Sequence, residues 1–352
     1  MSRFSLESLM TSRSIAVALC AASFLATACG PELTPISEVE SLRIIGVRKS
    51  ASYAQPGEKV QMQMLWEDGR DSVPDDVDIF FGFWCLNPLG DTYVGCLNQS
   101  GNVQPQFAVN QSNFELTIPE DSLQPSVLDT NLPDYGTAVV FYGICNGTLD
   151  VSSLGSPPPE GTDLGEGVLP TCKDADGAAL GPDDFIVGFS KVFIYEELRN
   201  ENPRITGIQV DGKDVAIDCI DEDCDGPFPP LEMEGCEEGI ACIESCEEDG
   251  DFTTCPEIAL EAVVDRDSAE LDALGNLGAS TELEEFIWVS YLADRGRITP
   301  PLKLVNDARS GWNPDLETSI YAPKEKGPMR IWAVARDNRG GASWIRIPAY
   351  VK

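Results

Sequence analysis

The chain has 352 residues, with 59 Asp or Glu against 24 Lys or Arg, no histidine, and a formal net charge of −35. That charge excludes nucleic acid as a partner, since a polyanion would be repelled rather than steered. The lack of histidine removes Ser-His-Asp and Cys-His nucleophile systems, His-containing zinc sites and the H-E-x-x-H metalloproteases together.

Taken in chain order, the N-terminus carries Arg3 and Arg13, then an apolar run at 15–28 (IAVALCAASFLATA). The run is too short to span a bilayer and has the layout of a cleaved export signal over 1–28. Its end, Leu25-Ala26-Thr27-Ala28 before Cys29, resembles the lipobox of bacterial lipoproteins, although Ala26 stands where the usual lipobox has Leu. The resemblance implies acylation of Cys29 with palmitate-type chains, and two or three such chains anchor a protein stably where one does not. Gly30 in place of Asp implies the outer membrane, on its periplasmic face or at the cell surface. An ordinary secretory signal cut after Ala28 is the alternative. Residues 29–39 read as a tether, and no later run approaches the 18 apolar residues of a spanning helix.

The first folded unit is expected over 40–198. Strands are predicted at 41–49 (SLRIIGVRK), 59–66 (KVQMQMLW), 77–85 (VDIFFGFWC), 113–118, 137–145 (TAVVFYGIC) and 185–195 (FIVGFSKVFIY). In 59–66 the alternation turns Val60, Met62, Met64 and Trp66 inward and Lys59, Gln61 and Gln63 outward. Ser190-Lys191 lies inside such a strand and lacks the S-x-x-K spacing of a nucleophile. Polar residues 199–203 form a linker. The second unit, 204–352, supplies strands at 204–210, 257–264, 286–291, 329–336 and 342–347, with one short helix at 268–277. Many short strands between turn clusters predict an all-β chain of two antiparallel sandwiches in tandem. Trp66, Trp84, Trp288, Trp332 and Trp344 lie in or beside strands and are assigned to the core, not to an exposed carbohydrate platform.

Residues 41–66, with LRIIGVRKS, Pro56-Gly57-Glu58 and the alternating strand, resemble the start of lipoproteins common in myxobacteria and related Deltaproteobacteria. The closing stretch, Tyr321-Ala-Pro, Lys326-Gly-Pro and 331–344 (IWAVARDNRGGASW), is similar to immunoglobulin-like domains of the PKD or cadherin-like kind. In those domains an Asp-x-x-Gly-Gly turn, here Asp337 to Gly341, joins the last two strands. The resemblance implies two immunoglobulin-like β-sandwich domains serving adhesion, spacing or ligand presentation, and it carries over no catalytic residue.

Beyond Cys20 and Cys29 ten cysteines remain: Cys85, Cys96, Cys145, Cys172, Cys219, Cys224, Cys236, Cys242, Cys246 and Cys255. An even number in an exported chain argues for disulfides, and the spacings lack the C-x2-C pairs of zinc sites. Spacing leaves the connectivity open; two predicted strands end in cysteine, which would place Cys85 and Cys145 at one end of neighbouring strands, so bonds such as Cys85–Cys145 and Cys96–Cys172 are candidates. Residues 218–255 hold fourteen Asp or Glu, six cysteines and no Lys or Arg. This insert in the second unit is expected to lack a hydrophobic core and to be held by disulfides.

Within the insert Asp221, Asp223, Asp225 and Glu232 satisfy D-x-[DN]-x-[DN]-G-x5-E, an oxygen-ligand pattern for Ca2+. Pro227, Pro229 and Pro230 exclude an EF-hand exit helix, so a non-EF calcium loop and a plain solvated loop both stand. Asp174-Ala-Asp176-Gly177 reads as a turn. The expected function is that of a lipid-anchored, non-catalytic cell-envelope protein with a protein or polysaccharide partner and no certain cofactor. The alternatives are a glycosidase-like hydrolase working through two carboxylates, and a calcium-dependent binding module.

Overall fold

The computed structural model describes residues 35–70, 77–98, 103–126, 132–152, 170–224, 233–247, 252–277 and 282–352. The export signal, Cys29, Asp225 and Glu232 lie outside them. Residues Ile36–Lys352 form one compact unit, nearly all of it β-structure.

The first half contains β1 (Leu42–Lys49), β2 (Tyr53–Ala54), β3 (Lys59–Asp68), β4 (Asp78–Leu86), a helix α1 (Thr92–Asn98), β5 (Gln106–Val109), β6 (Asn113–Thr117), β7 (Gly136–Cys145), β8 (Thr148–Asp150), β9 (Thr171–Lys173) and β10 (Phe185–Ile194). Strands β1-β3-β6 make a three-stranded sheet and β2-β10-β7-β4-β5 a five-stranded one, while β8 and β9 pair apart. The two sheets close over Val60, Met62, Met64 and Trp66 of β3 and Phe81, Phe83, Val140 and Ile194 opposite, as the period-2 pattern requires.

The second half contains β11 (Ile205–Val210), β12 (Lys213–Asp214), β13 (Cys219–Ile220), β14 (Ala241–Ile243), β15 (Glu257–Val264), β16 (Ile287–Ala293), β17 (Arg297–Thr299), β18 (Leu302–Asp307), β19 (Gly311–Trp312), β20 (Glu317–Tyr321), β21 (Gly327–Asp337) and β22 (Ala342–Val351). A five-stranded sheet, β12-β11-β15-β20-β17, faces a seven-stranded one, β13-β22-β21-β16-β18-β19 with β14 also on β22. Their shared core holds Tyr291, Ile331, Ile345 and Ile347 against Leu260 and Ile320. Asp211 and Gly212, both at positive φ, make the two-residue turn from β11 to β12.

A third core joins the halves. Ile45 of β1 and Leu65 of β3 project from the outer face of the three-stranded sheet onto Leu292, Trp332, Val334 and Trp344 on the outer face of the seven-stranded sheet. Four of the sheets are therefore stacked, and among the described residues the three-stranded sheet is covered on both faces, while a fourth cluster with Phe80, Trp84, Val139 and Phe141 lies on the outer face of the first half's five-stranded sheet. Gly46 permits the approach, because a Cβ there would sit 3.1 Å from the Trp344 ring. Burying each indole contributes a few kcal/mol.

The structure corrects several expectations. The bonds are Cys85–Cys96 and Cys145–Cys172, with Cys219–Cys224, Cys236–Cys242 and Cys246–Cys255 in the insert. Cys85 and Cys145 end neighbouring strands, but β4 and β7 run antiparallel with Asp78 opposite Cys145, so the two cysteines lie at opposite ends of the pair. Helix α1, capped by Asp91 Oδ1 accepting from Val94 N–H at 3.1 Å, carries Cys96 back to Cys85 instead. No helix spans 268–277: Asp272 N–H donates to Leu283 O and Glu285 N–H to Glu270 O, which ties this segment to 283–285 as extended chain and turn. The insert does reach a core, for the apolar Ala241 and Ile243 pack there while β14 pairs in parallel with β22. The end of the tether is also part of the fold, with Val39 buried and its N–H on Ala293 O at 2.8 Å. Trp288 is half-buried, whereas the other four strand-associated tryptophans are buried as expected.

Replacing Trp344 with Ala is expected to lower stability by about 3–5 kcal/mol, the range for losing a large buried aromatic, as a reduced urea midpoint would show.

Candidate functional site

The Asp337–Gly341 turn joins β21 to β22, and Asp337 organises it. Its Oδ1 accepts from Arg339 N–H at 2.8 Å and Gly341 N–H at 2.7 Å, and its Oδ2 accepts from Asn200 Nδ2 at 3.0 Å. Gly340, at φ +95, lies against Lys49, so a Cβ there would come within 2.7 Å of Nζ. Arg339 points the other way and is buried, with Glu285 at 2.8 Å, Glu270 at 3.6 Å and Asp272 at 3.7 Å. These carboxylates converge on a guanidinium, not on an open cleft. Burial holds the Glu285 carboxyl above its usual range, against the opposing pull of Arg339.

Asn200 and Asn202, in the expected linker, are seam residues. Asn202 Nδ2 donates to Lys49 O at 2.7 Å, and its Oδ1 accepts from Ala342 N–H at 3.1 Å, stitching β1 to β22. Lys49 itself is buried, donates to Lys191 O at 2.6 Å, and has its pKa lowered to about 8 by desolvation, with Asp337 opposing.

The acidic loop closed by Cys219–Cys224 docks on the same seam. Asp221, at φ +46, accepts Trp344 N–H on its carboxylate and the Trp344 indole N–H on its carbonyl, both at 2.9 Å. Arg48 pairs with Glu222 at 2.6 Å and reaches Asp221 at 3.8 Å. Desolvation raises the Asp221 pKa. Asp223 is exposed. Of the four calcium-pattern residues the structure therefore places two: Asp221 against the seam and Asp223 in solvent. Among the described residues no group of three or more Cys, Asp or Glu is gathered for a metal. Asp174 forms the expected turn, its Oδ1 accepting from the N–H groups of Asp176 and Ala178.

Deeper in the seam lie Glu67 and Arg330, 3.8 Å apart. Burial pushes Glu67 up to about 7, opposed by Arg330 and Arg346, and pushes the neighbouring Asp294 up to about 6 although it accepts Arg330 N–H at 3.0 Å.

Beside this seam opens a groove of 630 Å³ between β1, β10 and the 337–341 turn, within the size range of ligand sites. Ile44 and Val47 of β1 and Tyr142 of β7, which pack against the first core, line its inner side, Val187 and Phe189 of β10 flank it, and Trp288 and Arg336 also line it. Arg336 donates to Ile45 O at 2.8 Å and Ser290 Oγ at 3.2 Å, and burial lowers its pKa. The Tyr142 ring lies flat over Gly188, where a Cβ would be 2.7 Å away. Phe189 also ends an aromatic row across the outer sheet face: Phe141 at 6.2 Å, then Trp84 stacked at 4.4 Å, then Phe107 at 6.1 Å.

The sequence reading missed Lys49, Arg336, Arg339 and Glu285. The available signal was a charge inside or at the end of an apolar strand pattern, as in LRIIGVRK and IWAVAR.

No family model and no curated protein matches the sequence. Solved structures similar to it include Escherichia coli alpha-2-macroglobulin activated by porcine elastase, at 9% identity and TM-score 0.20, covering 91% of this chain and 22% of that one. The chicken CNTN1 FN1–FN3 domains superpose at 9% identity and TM-score 0.19 over 90% of this chain and 67% of theirs. The Yersinia pseudotuberculosis adhesin InvE does so at 10% and 0.19, over 89% and 60%. The chain thus spans about a fifth of the alpha-2-macroglobulin, and all three are loose superpositions.

Two outcomes are expected. Asp221→Ala removes an acceptor from buried Trp344 N–H and should cost about 1–3 kcal/mol in calcium-free buffer, measured by chemical denaturation. For Glu67, a folded pKa above the usual carboxylate value means stability present below that usual value and lost as pH rises through about 7. The melting temperature should therefore rise between pH 8 and pH 5, and Glu67→Gln should remove part of that rise, up to roughly 3 kcal/mol.

Proposed function

We propose that this chain is an exported, lipid-anchored, non-catalytic protein of the cell envelope that holds its two β-sandwiches at the outer membrane to bind a partner. The observation that carries the reading is the disulfide set. Five bonds use all ten cysteines beyond residue 30, the pattern of an oxidising compartment, and the folded unit therefore asks nothing of Cys29. The lipobox-like residues before Cys29 supply the anchor, and the sandwich fold supplies surface without histidine chemistry. Among the described residues Glu270, Asp272 and Glu285 are engaged by Arg339, and Asp221 and Glu222 by Arg48, which supports a structural role for them. The groove beside the seam is a surface with binding-site dimensions.

Expression of the chain in a diderm bacterium tests this. The protein should partition into the detergent phase with an acylated Cys29 at its N-terminus by mass spectrometry, and Cys29→Ser should move it to the aqueous phase. Unchanged partitioning of the Cys29→Ser variant would overturn the anchor.

A further inference from the structure

The groove combines three features that point to one kind of ligand. The first is its charge. Its lining contains Lys49, Lys191, Arg336 and Arg339 against the single acid Asp337, in a chain where acids outnumber bases 59 to 24. Arg339 is consumed by Glu285, and Asp337 by Asn200 and its own turn. Among the described residues, Lys49, Lys191 and Arg336 form no ion pair: Lys49 and Arg336 donate only to neutral oxygens, at Lys191 O, Ile45 O and Ser290 Oγ. Asp337 acts on Lys49 without pairing with it, and partly desolvated cations free of an ion pair favour an anion that arrives with its own desolvated surface.

The second feature is an open strand edge. In β10 the odd-numbered peptide groups point away from β7, as Phe193 N–H donating to Ser52 O and Lys191 O accepting from Lys49 show. Successive peptide groups alternate sides, so Val187 and Phe189 present N–H and C=O on the same side. Strand β2 covers that side only at Phe193 and Ile194. Among the described residues the main-chain groups of Val187 and Phe189 meet no partner there, and β1 across the groove pairs with β3 alone. An unprotected edge is a template for another strand.

The third feature is the apolar lining. Val187 and Phe189 are 44% and 41% exposed on the outer face of the sheet, while Tyr142, Ile44 and Val47 line the groove on the inner side, packed against the first core. An added strand would place alternate side chains on these two surfaces.

We infer that the groove takes an extended peptide segment that pairs with the Val187–Lys191 edge of β10 and sets a carboxylate against Arg336 and Lys191. Main-chain hydrogen bonds to Val187 and Phe189 hold the segment. The cations at the end of the groove fix its register and select an acidic residue or a C-terminal carboxylate. This deepens the reading of the chain as a binding protein and does not depend on the lipid: an anchored chain that fails to hold such a peptide sinks this inference alone.

The probe is a library of random nonapeptides displayed against the purified full chain, with counter-selection on Val187→Pro. Proline there removes one outward N–H and leaves the β7 ladder intact, the position where edge strands tolerate it. Selected peptides should alternate apolar residues and carry an Asp or Glu. Binding should weaken at least about tenfold for Val187→Pro, for Arg336→Gln, and for the peptide N-methylated at alternate nitrogens, while Lys303→Gln leaves it unchanged. Amide exchange at Val187 and Phe189 should slow in the complex. If Val187→Pro does not fold, the Arg336→Gln and N-methyl comparisons decide. The inference is overturned if no peptide is enriched, if selected peptides bind Arg336→Gln and the N-methylated form equally well, or if the chain dimerises through this edge and a second copy is the occupant.

Discussion

The structure depends on burying the outer face of the three-stranded sheet against the outer face of the seven-stranded one. An antiparallel sheet in a sandwich ordinarily keeps one face in water. Here Ile45 and Leu65 on one side and Trp332, Val334 and Trp344 on the other exclude it. Gly46 sets the closeness of approach, Asn202 and Arg336 tie the backbones across it, and the Cys219–Cys224 loop seals its edge with Asp221 on Trp344. Because β1 is held to the second sandwich and β10 to β7, their edges do not pair with each other. The groove is the consequence of that arrangement.

The same burial accounts for the unusual placement of charge. A surface carrying a large net negative charge favours solubility, yet several arginines of this acidic chain are buried in its interior. Arg330 faces Glu67, Arg346 pairs with Asp218, and Arg339 holds Glu285. Buried pairs of this kind add little net stability, but removing one partner leaves an uncompensated charge; of the three only Arg330–Glu67 spans the halves, and it penalises any other register between them. Glu67 and Asp294, pushed toward neutrality by burial, make the seam tighter in mild acid.

The period-2 reading of β3 shows where sequence patterning succeeds and where it stops. Val60, Met62, Met64 and Trp66 face the first core as their alternation demands, and Gln63 points outward as expected. Gln63 is nevertheless buried, with its amide against the carbonyls of Glu222 and Cys224, because outward here means into the seam. No periodicity marks that, since a second buried face looks like a broken alternation. The disulfide partners failed for a related reason. Strand direction is a property of pairing, and Cys85 and Cys145 lie at opposite ends of antiparallel neighbours. The Asp337–Gly341 turn was readable as a hairpin, but its contact with Lys49 was not.

The amino-acid sequence by itself determined the all-β character, the inward faces of the main strands, the oxidised cysteines and the exclusion of histidine chemistry, because each follows from local residue type and spacing. Tertiary structure alone decided which cysteines bond, that the acidic loop is a wedge against Trp344, and that Lys49, Lys191 and Arg336 line one groove. Those facts rest on residues up to 291 positions apart, brought together only when two outer sheet faces find each other.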